Sequence, residues 1–118
     1  MTKKIDKKLI WVGNSRKNLL LFPEDVKDFI GYALHHAQQG TKHLATKPFK
    51  GFKGAGVLEV VDDHDGDTYR AVYTVKFKEK VYVLHAFQKK SKTGIKTPQK
   101  DIDLIQARYK QVEAREKE

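Results

Sequence analysis

Arg70, Lys89, Lys90, His85 and Glu59 are the residues of this chain whose types and spacing could do chemistry. Arg70 lies in the run Tyr69-Arg-Ala-Val-Tyr-Thr-Val, and His85, Lys89 and Lys90 lie in Val81-Tyr-Val-Leu-His-Ala-Phe-Gln-Lys-Lys. Both runs alternate in the manner of half-buried strands. A guanidinium is a planar fork of donors that suits a non-bridging phosphate oxygen. A lysine in a dense cationic cluster has its pKa lowered by its neighbours and so can exchange a proton; otherwise it is a fixed charge. Lys89 and Lys90 alternate, so only one of them can face a common site. His85 has the intrinsic pKa of an acid or base. Its alternation partners Val83 and Phe87 look like core, however, which favours a buried, hydrogen-bonded histidine. Glu59, on a neighbouring strand, either forms a structural ion pair with Arg70 or orients it for work on a ligand. A buried sheet that runs out into cations is a platform for something anionic.

Lys53, Lys92 and Lys96 extend the cationic set and read as contacts to the backbone of a polyanion. Tyr73 and Tyr82 could stack a base, although core packing is the commoner fate of strand aromatics. His35, His36 and His43 lack second ligands at short spacing, so a metal site is not expected from them. The acidic turn Asp62-Asp-His-Asp-Gly-Asp invites a calcium reading. Counted back from Gly66, the first loop position is Val61 and the twelfth is Val72, so the ligand pattern fails and a solvated hairpin turn is expected.

The elements that must position these groups follow from periodicity. Tyr69, Ala71, Tyr73, Val75 and Phe77 share one face of a strand, and Arg70, Val72, Thr74 and Lys76 the other. Lys78-Glu79-Lys80 is short enough to turn this strand into the next as an antiparallel hairpin. Upstream, Lys8-Leu-Ile-Trp-Val reads as a first strand and Gly13-Asn14-Ser15 as a turn. Pro23 opens a helix, and Val26, Phe29, Ile30, Ala33, Leu34 and Ala37 form its apolar stripe. Gly40 ends it. Thr41 to Gly56 reads as a flexible basic loop with a short helical turn at its start. Val57 to Val61 is another strand. Thr97-Pro98 supplies an N-cap and first helical position. The last helix carries Ile102, Ile105, Tyr109 and Val112, and its tail from about residue 113 is expected to fray. The architecture is α+β, with a helix or two at the start, a twisted antiparallel sheet of about four strands and a closing helix.

At 118 residues the chain is expected to be one domain, 1–118. Apolar residues at 39% and charged residues at 33% indicate a folded protein rather than a disordered one. There is no cysteine, which excludes disulfides, thiolate metal sites and cysteine nucleophiles and agrees with a reducing cytoplasm. No apolar run approaches the roughly 18 residues of a membrane span, and the lysine-rich N-terminus has no apolar segment behind it, so no signal peptide is expected. The formal net charge of +9 favours encounters with polyanions. Nucleic acid is the first candidate partner, an acidic protein another, and a merely solvated basic surface the plainest alternative.

One ordered set of residues carries a resemblance. Glu59, Tyr69-Arg70, Tyr73, Leu84-His85-Ala86-Phe87, Lys89-Lys90, Lys96-Thr97-Pro98 and Ile102 together resemble the phage-derived Gp49-like branch of the HigB/RelE toxins, over roughly residues 48 to 110. The resemblance implies a compact RelE-like domain. It implies the toxin half of a type II toxin–antitoxin pair, an endoribonuclease that cuts messenger RNA, commonly in the ribosomal A site, with no metal or other cofactor. The RNA's own 2′-OH would attack the adjacent phosphorus, leaving a 2′,3′-cyclic or 3′-phosphate and a 5′-OH. Arg70, Lys89, Lys90, His85 and Glu59 would be the catalytic set, and Lys53, Lys92, Lys96 and Tyr73 would bind RNA. The implied protein partner is an antitoxin, often a small helix-turn-helix protein. The chain departs from many relatives at Val61, where they carry an arginine; Lys53 or Lys92 would have to substitute. A non-catalytic nucleic-acid-binding module and a phage structural or assembly protein are the competing readings.

Overall fold

The computed structural model describes residues 6–52, 56–90 and 97–118. In chain order the elements are β1 (Lys8–Trp11), α1 (Ser15–Leu20), α2 (Glu24–Gln38), β2 (Thr46–Pro48), β3 (Val57–His64), β4 (Asp67–Thr74), β5 (Lys80–Lys90) and α3 (Gln99–Glu116). The strands form one sheet in the order β1-β5-β4-β3-β2. Helices α1 and α2 cover one face and α3 the other.

The apolar stripe of α2 does what its spacing predicts. Val26, Ile30, Ala33, Leu34 and Ala37 are buried against Val60, Tyr69, Ala71, Tyr73, Val81 and Val83 of the sheet. On the opposite face Ile105, Tyr109 and Val112 of α3 pack with Val57, Val72, Tyr82, Leu84 and Phe49. Each fully buried aliphatic side chain contributes about 1.5–3 kcal/mol, so both faces are held firmly and the sheet between them is a rigid floor.

Among the described residues the sheet has five strands rather than about four, and it is mixed rather than wholly antiparallel. β1 pairs with β5 in parallel, Leu9 opposite Val81 and Trp11 opposite Val83, because the chain crosses through α1 and α2 to the far edge and then runs back through the antiparallel strands β2, β3 and β4 before reaching β5. The segment read as a flexible loop contains β2, which pairs with β3, Lys47 opposite Glu59. Three residues with a proline among them give no strand period to read, and only the neighbouring strand defines them. Beyond the end of β1, α1 covers the edge of β5: Ser15 Oγ donates to the Val83 carbonyl at 3.1 Å and Asn18 Nδ2 to the Ala86 carbonyl at 3.0 Å.

Three local expectations shift. The acidic turn is shorter than expected, since β3 continues to His64 and only Asp65 and Gly66 turn the chain. Both have positive φ, 49° and 82°, which is the two-residue geometry that matches strand twist and favours Asp-Gly. At the start of α3, Pro98 rather than Thr97 occupies the N-cap, with no side-chain cap. The tail expected to fray remains helical to Glu116. Lys76 Nζ holds Glu113 at 3.3 Å, and Lys80 Nζ holds Glu116 at 2.8 Å, while Tyr82 donates its hydroxyl to Glu116.

The fourth shift concerns β5 itself. Val72 lies opposite His85, yet Tyr73 lies opposite Val83, so Leu84 is an extra residue, a β-bulge. Val83 therefore faces α2 while His85 and Phe87 face α3. The simple alternation that grouped Val83 with His85 and Phe87 fails at this point, because a bulge advances the strand by one residue and exchanges its faces.

Candidate functional site

The site is built on the α3-facing side of β2, β3, β4 and β5. Arg70 is opposite Val61 and Glu59 is opposite Val72, so the two side chains stand diagonally on one face. Arg70 Nη1 donates to Glu59 Oε2 at 3.2 Å, with only 8% and 7% of the two side chains exposed. From the edge strand, Lys47 Nζ approaches the other carboxylate oxygen of Glu59 at 3.7 Å. Glu59 is thus gripped on both sides by cations, one buried and one at the surface. That arrangement restrains the guanidinium from the Glu59 side.

Lys89 joins the same face because of the bulge. It is opposite Thr68, two residues along β5 from Phe87, the partner of Arg70. The residue is 6% exposed, and its ammonium has no hydrogen-bond partner among the described residues. Its pKa is lowered, first by burial and then by the charge of Arg70. Among the described residues Glu59 is the buried carboxylate of this face, with Arg70 and Lys47 within 4 Å, and Lys89 adds a further cation, so this part of the face keeps a net positive charge. An uncompensated, shielded cation is costly unless something anionic meets it.

A cleft of about 480 Å³ opens over the Glu59–Arg70 pair. Lys47, Pro48, Phe49 and Lys50 form its wall on the sheet-edge side, and Thr97 and Ile102 form the wall from the start of α3. Thr97, displaced from the N-cap, thus lines the cleft instead.

His85 stands behind this arrangement. Its Nε2 is 2.8 Å from Asp101 Oδ1 in the first turn of α3, and its ring stacks on Phe87 at 4.8 Å and 18°. Burial lowers its pKa more than the Asp101 carboxylate raises it, and the nearby Arg108 charge lowers it further. A neutral ring donating to Asp101 ties β5 to the helix that carries Ile102. Tyr73 is corrected: it is 1% exposed and packed on the α2 side of the sheet, the opposite face from Arg70. No base can stack on it, because α2 covers it. Lys53, Lys92 and Lys96 lie outside the described residues, and for Lys90 the structure describes the main chain alone. Among the described residues, no group of three or more His, Asp or Glu could hold a metal ion.

Arg108 and Lys47 were not singled out by sequence. Arg108 is 9% exposed. Its Nη1 donates to the Leu84 carbonyl at 2.8 Å and its Nη2 to Asn14 Oδ1 at 2.7 Å. The signal was an arginine one residue before Tyr109 in the apolar stripe of a helix, where a charge has no reason to be unless it has a partner. Lys47 had no signal, since its strand is too short to show a period.

The family model described as Phage derived protein Gp49-like (DUF891) matches residues 17–110. No curated protein matches. Among solved structures, a mutant of the E. coli toxin RelE in the free state is similar with a TM-score of 0.55 at 15% identity, covering 76% of this chain and 88% of that one. The toxin–antitoxin complex RelBE2 from Mycobacterium tuberculosis gives a TM-score of 0.43 at 16% identity, covering 75% of this chain and 98% of that one. With helices on both faces of its five-stranded sheet, the chain has a fold like that of RelE and belongs to the phage-derived Gp49-like family.

Proposed function

We propose that this protein is the toxin of a type II toxin–antitoxin system, an endoribonuclease that cleaves messenger RNA at the ribosome and so stops translation in the cytoplasm. The observation that carries the reading is that Arg70 and Lys89 share one face, two cations with Glu59 the buried carboxylate among the described residues. A scissile phosphodiester is the anion that such a site would suit. The family membership and the RelE-like fold support it.

In this reading the RNA supplies its own nucleophile. The 2′-oxygen bonds to phosphorus as its proton passes to a solvent water acting as base, and the bond to the 5′-oxygen of the next nucleotide breaks as that oxygen takes up a proton. A 2′,3′-cyclic phosphate and a 5′-OH result. The protein must stabilise charge on the phosphorane and supply the proton to the leaving oxygen. Arg70, restrained by Glu59, serves the first need through its charged fork. Lys89, with its pKa lowered by burial and by Arg70, serves the second. The reaction asks for no metal, because the nucleophile comes from the substrate and the cations from the protein. His85, paired with Asp101, positions α3 rather than touching RNA. An antitoxin, a small helix-turn-helix protein with acidic segments, would hold the toxin inactive by covering this basic face.

The test is induced expression in a bacterium of the wild type, Arg70→Ala and Lys89→Met, with cut sites mapped on messenger RNA. Growth arrest with cleaved RNA is expected for the wild type and relief for both variants. Harmless wild-type expression without an antitoxin would instead support a binding module that performs no chemistry.

A further inference from the structure

We infer that the cleft above Arg70 is a nucleobase subsite, so that the protein holds a whole nucleotide there, with the phosphate on the cations and the base on an apolar wall. The inference rests on the nucleic-acid reading of this face and adds to it a pocket for the base. Arg70, Lys47 and Glu59 make a charged floor. Beside it stand Phe49, Pro48 and Ile102. Phe49 is anchored in the α3-side core, with its ring 5.6 Å from that of Phe52, and Ile102 is anchored by the same core from the other side.

A site for phosphate alone needs only donors and charge. At about 480 Å³ this cleft is in the range of pockets that enclose small organic ligands, and such pockets combine apolar walls with a few polar groups. A ligand that suits both halves carries an anion and a flat, weakly polar ring on one frame. A nucleotide is such a ligand, and the net charge of +9 favours its polymer. A sugar phosphate without a base would leave the apolar wall in contact with water. Tyr73, one of the aromatics that the sequence offered for stacking, is sealed under α2. Phe49 and Ile102 take over the role of base contact.

The test is a nuclear magnetic resonance titration of the intact protein with three non-cleavable probes at equal ionic strength: adenosine 3′-monophosphate, ribose 5-phosphate and inorganic phosphate. The nucleotide is expected to bind about tenfold more tightly than ribose 5-phosphate, the order of factor that contact with one base provides, and to shift the amides of Phe49 and Ile102. Ile102→Ala should remove most of that factor and leave the affinity for inorganic phosphate as it was. Lys47→Gln should weaken all three. Equal affinity for the nucleotide and ribose 5-phosphate in the wild type overturns the subsite, as does no binding of the nucleotide at about 10 mM, weaker than any useful subsite. The wild-type comparison needs no variant, so a poorly folded Ile102→Ala protein does not shelter the idea. RNA cleavage without a nucleotide preference removes the subsite and keeps the ribonuclease. A nucleotide preference in a protein that cuts no RNA does the reverse.

Discussion

Arg108 donates to the carbonyl of Leu84, the residue that β5 inserts against β4, at 2.8 Å. A bulge takes a residue out of the ladder, and here a charged side chain from α3 meets its carbonyl. The bulge in turn sets the phase that puts His85, Phe87 and Lys89 on the face of Arg70. The residue that sets this phase is thus hydrogen-bonded from outside the cationic site.

Arg108→Met should leave a buried acceptor without its donor, a loss of about 1–3 kcal/mol, read as a lower urea midpoint. Gly13→Ala tests the same contact from the other side. A Cβ there would lie 2.6 Å from Arg108 Nη2, on a backbone with φ of +55°. Both variants should speed amide exchange in β5 beyond Leu84. Unchanged exchange there would mean that the bulge holds without Arg108.

Arg70→Ala strands Glu59 in a buried place, with Lys47 the remaining cation within 4 Å among the described residues. The expected loss is about 3–5 kcal/mol, the range for removing one member of a buried pair. Adding Glu59→Gln neutralises the stranded carboxylate and should recover part of that stability in a denaturation curve. RNA cleavage should stay absent in the double variant. Cleavage that returned with stability would show that Arg70 acts through folding alone.

Lys89→Met removes a shielded ammonium that has no partner among the described residues. Its Tm should be equal to or higher than that of the wild type, while affinity for inorganic phosphate falls. The two readouts moving in opposite directions is the mark of a charge kept for a ligand. A fall in both would make Lys89 a structural residue.

The His85 ring has a pKa below its ordinary value of 6.5, with burial the main cause. The unfolded chain then binds the proton more readily than the folded one. Stability from this group is present above 6.5 and is lost as pH falls through the window between 6.5 and the depressed folded value. The urea midpoint of the wild type should drop between pH about 7 and about 5, the range in which histidine titrates. His85→Gln keeps a side-chain N–H for Asp101 but does not titrate, and its midpoint should change less. Equal slopes would place the titrating group elsewhere.

Much of this protein follows from local pattern alone. The stripe of α2, the alternation of β4 and the cationic character of the end of β5 are properties of short runs of residues, and each could be read before any partner was known. Arg70 and Glu59 could be paired in advance because both lie on strands with clear alternation. The grip of Lys47 on Glu59, the burial of Tyr73 under α2 and the face taken by Lys89 could not. Each depends on which segment packs beside which, and periodicity along one segment says nothing of its neighbours. The bulge at Leu84 is the clearest case, since one inserted residue reverses the faces of all that follow. The donor that meets its carbonyl is an arginine on another element, brought there by the packing of α3 on the sheet.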